Sequence, residues 1–218
     1  MSEYVQNKNT WANGFDSDAC KICGLSYVRE SPEDQRNHRS YHRRFTLRWT
    51  RAKKEPIAGI DGELRVIVVA PGAPLWLSKR AENTAFTAHA DTNFDSAAYH
   101  ATDPHWELGT HAFIGVIDQD VVAFLVLERR SHVVRVTWVE WDSKTPEGWD
   151  TEDAAQWTIC FAWTAKTFRA RGIARRTIQI VASWASCQVQ ELAWYTPFTA
   201  SGERLVRKLC PQFFLIGK

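Results

Sequence analysis

The stretch from residue 157 to residue 174, WTICFAWTAKTFRARGIA, decides the fold. Its first part, Trp157 to Thr164, is aromatic, β-branched and apolar, the composition of a buried strand. Beyond it, Ala174, Ile178, Val181 and Ala185 recur at helical spacing and predict a helix to about Cys187. Between the two lies Arg169-Ala170-Arg171-Gly172-Ile173-Ala174. A helix start presents unpaired backbone N–H groups and the positive end of the helix dipole. Gly172 lets the backbone come close to an anionic ligand, and Arg169 and Arg171 add charged donors. Strand, loop and helix in this order read as an anion-capturing turn; the alternative is an arginine-rich helix start on the surface.

Working outward, strands and helices alternate. Leu64 to Ala70 is a β-branched run ended by Pro71-Gly72. Leu75 to about Phe94 is helical in composition. His111 to Ile117 and Val121 to Glu128 form a hairpin whose turn, Asp118-Gln119-Asp120, lacks the favoured glycine. Val133 to Trp141 and Glu191 to Tyr195 read as strands, Ser201-Gly202-Glu203 begins a short helix, and Gln212 to Ile216 is a last strand. Mixed strands with helices packed on them predict an α/β or α+β domain over 63–218. Residues 47–62, basic and then carrying Pro56, Gly59 and Gly62, read as a linker.

Ahead of the linker, Cys20-x2-Cys23-x14-His38-x3-His42 has the spacing of a tetrahedral zinc site. His38 and His42 are four apart and share one face of a helix. Ser31 as N-cap, Pro32 in the first turn and Asp34 three residues after the cap place that helix start locally. The module spans 18–46, after a flexible 1–17. Glu33 and Asp34 occupy the turn with which a base-reading finger would meet DNA, so zinc here folds the module and no sequence-specific nucleic-acid binding is expected. The net charge of +2 does not imply electrostatic capture of nucleic acid, although Arg36 to Lys54 is a basic run. No apolar run is long enough for a membrane span. Five cysteines without a secretion signal point to a reducing compartment, the cytoplasm with the nucleus as alternative.

The stretch CKICGLSYVRESPEDQRNHRSYHRRF resembles the zinc finger of the sister-chromatid cohesion N-acetyltransferases, with Cys23-Gly24, Tyr27, Glu33-Asp34, His38, Tyr41-His42 and Phe45 in place. The closing segment resembles that family too: Glu191-Leu192-Ala193-Trp194, then Pro197, Gly202, Leu205, Lys208, Cys210 and Phe214-Leu215. R-x-x-G-x-A at 169–174 resembles the acetyl-CoA pyrophosphate loop of the GNAT superfamily. The resemblance implies a GNAT mixed central sheet with flanking helices behind a small N-terminal zinc finger. It implies acetyl-CoA as co-substrate, held by Ala162, Trp163 and Thr164 on the strand and by Arg169, Arg171, Gly172, Ile173 and Ala174 on the loop, and Zn2+ on Cys20, Cys23, His38 and His42. Two departures fall at the reacting centre. Thr196 stands where the family's D-P-T motif has its aspartate. Cys160 and Phe161 stand where its G-I-S-R segment has serine and arginine.

The expected activity is acetyl-CoA-dependent N-acetyl transfer directly to an amine, on a protein lysine or a cationic small molecule. Alternatives are a small-molecule acetyltransferase acting on an aminoglycoside or polyamine, and a catalytically silent zinc and CoA-binding module. Direct transfer needs no protein nucleophile, so Cys160 reads as a buried thiol. Glu140 and Asp142 lie at a predicted strand end among Trp138, Trp141, Trp149 and Trp157; Glu140 is the expected general base, and Asp142 reads rather as a solvated strand end. Tyr195 or Thr196 is expected to position the amine or protonate the leaving thiolate.

Overall fold

The computed structural model describes residues 17–20, 26–45, 48–50, 54–92, 99, 109–144, 151–152 and 156–217. Two compact units divide the chain, Met1–Thr46 and Leu47–Lys218. In the first, β1 (Ser17–Ala19) pairs antiparallel with β2 (Ser26–Val28), and α1 (Pro32–Phe45) follows. The Asp34 N–H donates to Ser31 Oγ at 3.2 Å, the N-cap read from the sequence. Asp34 Oδ2 in turn accepts the Val28 N–H at 3.0 Å, tying the hairpin to the helix start.

The second unit is a nine-stranded sheet in the order β3-β4-β5-β6-β9-β10-β11-β7-β8. Its strands are β3 (Ile57–Asp61), β4 (Leu64–Val69), β5 (His111–Ile117), β6 (Asp120–Arg130), β7 (Val133–Thr137), β8 (Thr151–Glu152), β9 (Gln156–Thr164), β10 (Ala193–Trp194) and β11 (Phe213–Gly217). From β3 to β9 the pairing is antiparallel, β9-β10-β11 is parallel, and β7 returns antiparallel beside β11. Helix α2 (Leu75–Thr92) packs on one face through Leu77, Ala81, Ala85 and Ala88, against Ile67, Ile114, Phe124 and Val126. Helices α4 (Ile173–Trp184) and α5 (Ala200–Leu209) cover the other through Ile178, Val181, Val206 and Leu209, against Val66, Phe113, Leu125 and Phe214. Central strands buried on both faces explain why β5 and β6 read as continuous apolar runs.

Two segments differ from their sequence reading. Residues 57–61, read as the end of a linker, form edge strand β3, and Trp49 in the same stretch is buried in the α2-side core. Gly59 allows this: a Cβ there would stand 2.7 Å from Ile180 Cγ2 on α4. Strand β7 stops at Thr137, and Trp138–Ser143 is a helix, α3. A capping box stops the strand: Thr137 Oγ1 accepts the Glu140 N–H while Glu140 Oε2 accepts the Thr137 N–H. The glycine-free turn between β5 and β6 is closed by Asp118 at φ +53°, a left-handed conformation that aspartate tolerates.

Candidate active site

Strand β10 is two residues long and pairs with β9 only at Ala193↔Thr158 and Trp194↔Ile159. The Tyr195 N–H donating to the Ile159 carbonyl at 2.9 Å closes that ladder. Strand β9 runs on to Thr164 paired with β6 alone, so a gap opens beside residues 160–164. At its apex β9 carries a bulge: Ile159 faces Leu127 and Phe161 faces Val126, leaving Cys160 as the extra residue. The bulge changes the phase of the strand. Trp157 and Ile159 pack into the α4-side core, whereas Phe161 and Trp163 pack into the α2-side core.

The ladder determines which backbone groups face the gap. The Ala165 N–H donates to the Val122 carbonyl at 3.0 Å, so alternation turns Trp163 and Phe161 toward β6 and the N–H groups of Ala162 and Thr164 away from it. Ala162 is exposed although it lies in a paired strand, which marks the opening. Trp163, expected to touch the cofactor, turns its side chain into the α2-side core. Its side chain is 7% exposed, and its indole Nε1 donates to Asp91 Oδ2 of α2 at 2.8 Å.

Beyond β9 a 3₁₀ turn, Lys166–Phe168, leads to the loop. Ala170 (φ +61°) and Gly172 (φ +76°) are both left-handed, a backbone that turns successive N–H groups to one side. Gly172 caps α4, and a Cβ placed on it would meet nothing within 4 Å, so the helix start faces open space. Ile173 is buried beneath this turn and Ala174 half-buried. Arg169 is committed elsewhere: its guanidinium pairs with Asp91, and its Nε donates to the Thr164 carbonyl at 3.0 Å. Lys166 Nζ reaches the same carboxylate at 2.9 Å. Asp91 thus clamps the loop to α2, a role with no local sequence signal because its partners lie 72 and 78 residues away. Arg171, with its guanidinium 5.3 Å from the Phe168 ring, and Arg175 in the first turn of α4 are exposed cations beside the open helix start.

The expected catalytic residues separate. Tyr195 and Thr196 follow β10 directly and border the gap. Glu140 does not. It belongs to α3, which follows β7, and Thr137 is paired with Phe213 where β11 begins. The gap opens at the other end of the parallel strands. The Glu140 carboxylate is also occupied, with Oε2 2.7 Å from both the Thr137 N–H and Thr137 Oγ1. These bonds hold its pKa below the ordinary carboxylate value, the reverse of what a base needs. Glu140 is a helix cap. Trp149, one of the tryptophans read around Glu140, lies outside the described residues.

In the finger, His38 and His42 stack at 5.3 Å between ring centroids, and Tyr27 stacks on His38 at 4.0 Å. Nε2 is buried on both histidines, and on His38 it has no hydrogen-bond partner among the described residues. An orphaned ring nitrogen beside a second histidine suits metal ligation. Cys20 follows β1 and is half-buried. Cys23 lies outside the described residues, and among those described no three candidate ligands meet.

A nine-stranded sheet parting at a bulged strand, over a glycine-started helix, is the GNAT fold. It superposes on the xEco2 acetyltransferase domain bound to a K105-CoA conjugate with a TM-score of 0.60 and 22% identity, over 76% of this chain and 98% of that one. The xEco2 domain in a second structure gives 0.59 and 21%, over 77% and 98%. Residues 12–44 match the family model described as the zinc-finger of acetyl-transferase ESCO. The chain is 25% identical over 213 residues to mouse N-acetyltransferase ESCO2, covering 92% of this chain, and 29% identical over 124 residues to the Danio rerio protein of that name, covering 56% of this chain. It spans 35% of the mouse protein and 20% of the Danio rerio one. Residues 12–44 thus resemble an ESCO-type zinc finger, and the second unit has the GNAT fold.

Proposed function

We propose that this protein is an N-acetyltransferase that moves an acetyl group from acetyl-CoA directly to an amine, with a protein lysine as the acceptor class. The gap between β9 and β10 carries the reading. It presents the Ala162 and Thr164 N–H groups along one wall and ends at the open start of α4. Gly172, Ile173 and Ala174 would offer backbone N–H groups to a pyrophosphate, with Arg171 and Arg175 as flanking cations. Arg169 would act by holding the loop against Asp91. Acetyl-CoA would supply the activated acyl thioester, whose carbonyl the gap-facing N–H groups would polarise. Lysine as acceptor is supported by likeness to the ESCO proteins and to a domain seen with a lysine–CoA conjugate. The finger would hold Zn2+ on Cys20, Cys23, His38 and His42.

Two measurements test this. Calorimetric titration with acetyl-CoA should show binding by wild type and a loss of about 10–100-fold in Gly172→Glu, which sets bulk and negative charge against phosphate. Zinc content should not change. CoA release should then be followed with a lysine peptide, spermidine and an aminoglycoside as acceptors. Failure of wild type to bind acetyl-CoA would end the enzyme reading. Turnover confined to the small amines would move the acceptor class.

A further inference from the structure

The expected base lies at the wrong end of the sheet, and the family's aspartate is Thr196 here. The reaction still needs an acceptor for the amine's proton. Resting on the acetyltransferase reading above, we infer that Glu128, on β6 beside the apex of the gap, is the catalytic base that deprotonates the incoming amine.

Position is the first argument. Along β6, Phe124 and Val126 point into the α2-side core, and Glu128 and Arg130 continue that alternation on the same face. Glu128 pairs in register with Thr158, one step from the Leu127↔Ile159 pair at which the bulge begins. Cys160, the bulged residue, packs on this same face, and its thiol donates to the Thr158 carbonyl at 3.6 Å. Across the gap, the Tyr195 ring lies 5.5 Å from the Arg130 guanidinium. Glu128, Cys160, Arg130 and Tyr195 thus ring the point where β9 and β10 part.

Chemistry is the second. Arg130 holds the carboxylate from one side, with Nε at 3.1 Å and Nη2 at 2.8 Å converging on the single oxygen Oε2. The other oxygen stays outside that ion pair. The Glu128 side chain is 23% exposed, enough for an amine to reach it. Burial, with the Glu128 charge adding to it, pushes the Cys160 thiol up to about 12, so the thiol stays protonated as a donor to the Thr158 carbonyl and is no acyl carrier.

Other bases near the sheet are committed. Asp91 accepts from Trp163, Arg169 and Lys166. Glu191 precedes β10, at the end of the parallel strands away from the gap, and caps the turn there by accepting the Gln188 N–H. His111 lies on the opposite face, walled by Trp157 and Trp184.

The step balances. An N–H bond of the ammonium breaks and an O–H bond forms on Glu128. The neutral amine nitrogen bonds to the acyl carbon, the carbon–sulfur bond breaks, and the sulfur leaves with the second nitrogen proton as free CoA thiol. Glu128 then returns its proton to water.

The experiment compares wild type, Glu128→Gln and Glu128→Asp, using the acceptor from the panel above that wild type turns over fastest. Glu128→Gln should bind acetyl-CoA as wild type does and lose about 10²–10⁴-fold in kcat. Its residual rate should climb about tenfold per pH unit up to the acceptor's own pKa, because only amine already neutral in solution can react. Glu128→Asp, slower through its shorter reach, should keep the wild-type profile shape. A Glu128→Gln rate within about threefold of wild type overturns the assignment. So does a loss with an unchanged pH profile, or an aspartate variant with the tenfold-per-unit slope. Wild type that binds no acetyl-CoA removes the acetyltransferase reading itself, and this inference with it.

Discussion

At the scale of single residues, Thr137 and Glu140 show how one carboxylate can look catalytic and act structurally. The pair satisfies the first turn of α3 and ends β7. Thr137→Ala should cost about 0.5–2 kcal/mol in chemical denaturation at neutral pH. Glu140→Gln should lower the melting temperature and leave turnover unchanged. The Glu140 pKa is held below its ordinary 4.5, so its contribution is present above that value. It is lost as pH falls through the lowered folded value. The difference between wild type and Glu140→Gln should therefore shrink on acidification. A Glu140→Gln variant that melts like wild type but fails to turn over would restore Glu140 as a reacting group.

Elements differ in how openly the sequence wrote them. Strands β4 and β5 were legible because β-branched runs end at Pro71-Gly72 and at Asp118. Helix α4 was legible because one apolar stripe runs from Ile173 to Val181. Helix α3 was misread because Trp138 and Trp141 resemble strand residues, although Thr-x-x-Glu at 137–140 was present as a capping signal. Strand β3 was missed because IAGID is short and its glycine reads as a linker, yet that glycine seats Ile180 of α4. Of the site, the loop was readable from residues 169–174. Glu128 was not, since a charge within an apolar run reads as the strand's end and Cys160, which shares its face of the sheet, is remote in sequence. The β3–α4 contact can be tested. Gly59→Ala should destabilise by about 1–3 kcal/mol through overpacking. Adding Ile180→Ala should recover part of that loss, giving a coupling energy in a double-mutant cycle. Additive effects would mean the two residues do not meet.

At the scale of the molecule, the two units rest on different physics. The sheet domain has two extensive cores, whereas α1 and a two-strand hairpin must draw on metal. Purified protein should contain about one zinc per chain. Cys23→Ser or His42→Ala should abolish that content and remove one calorimetric transition while acetyl-CoA titration stays as in wild type. A folded, zinc-free finger would contradict the ligand set. The extra residue in β9 has a consequence for the whole sheet. Before Cys160 the strand feeds one core and after it the other, so the strand has a reading frame. Exchanging Cys160 for another small residue leaves the frame intact. Deleting it would leave Ile159 and Phe161 adjacent and alternating, so Phe161 and Trp163 would keep the α2 face while the strand lost its bulge. In β9, then, the extra residue sets the bend where the strand parts from β10, and not which core each ring enters.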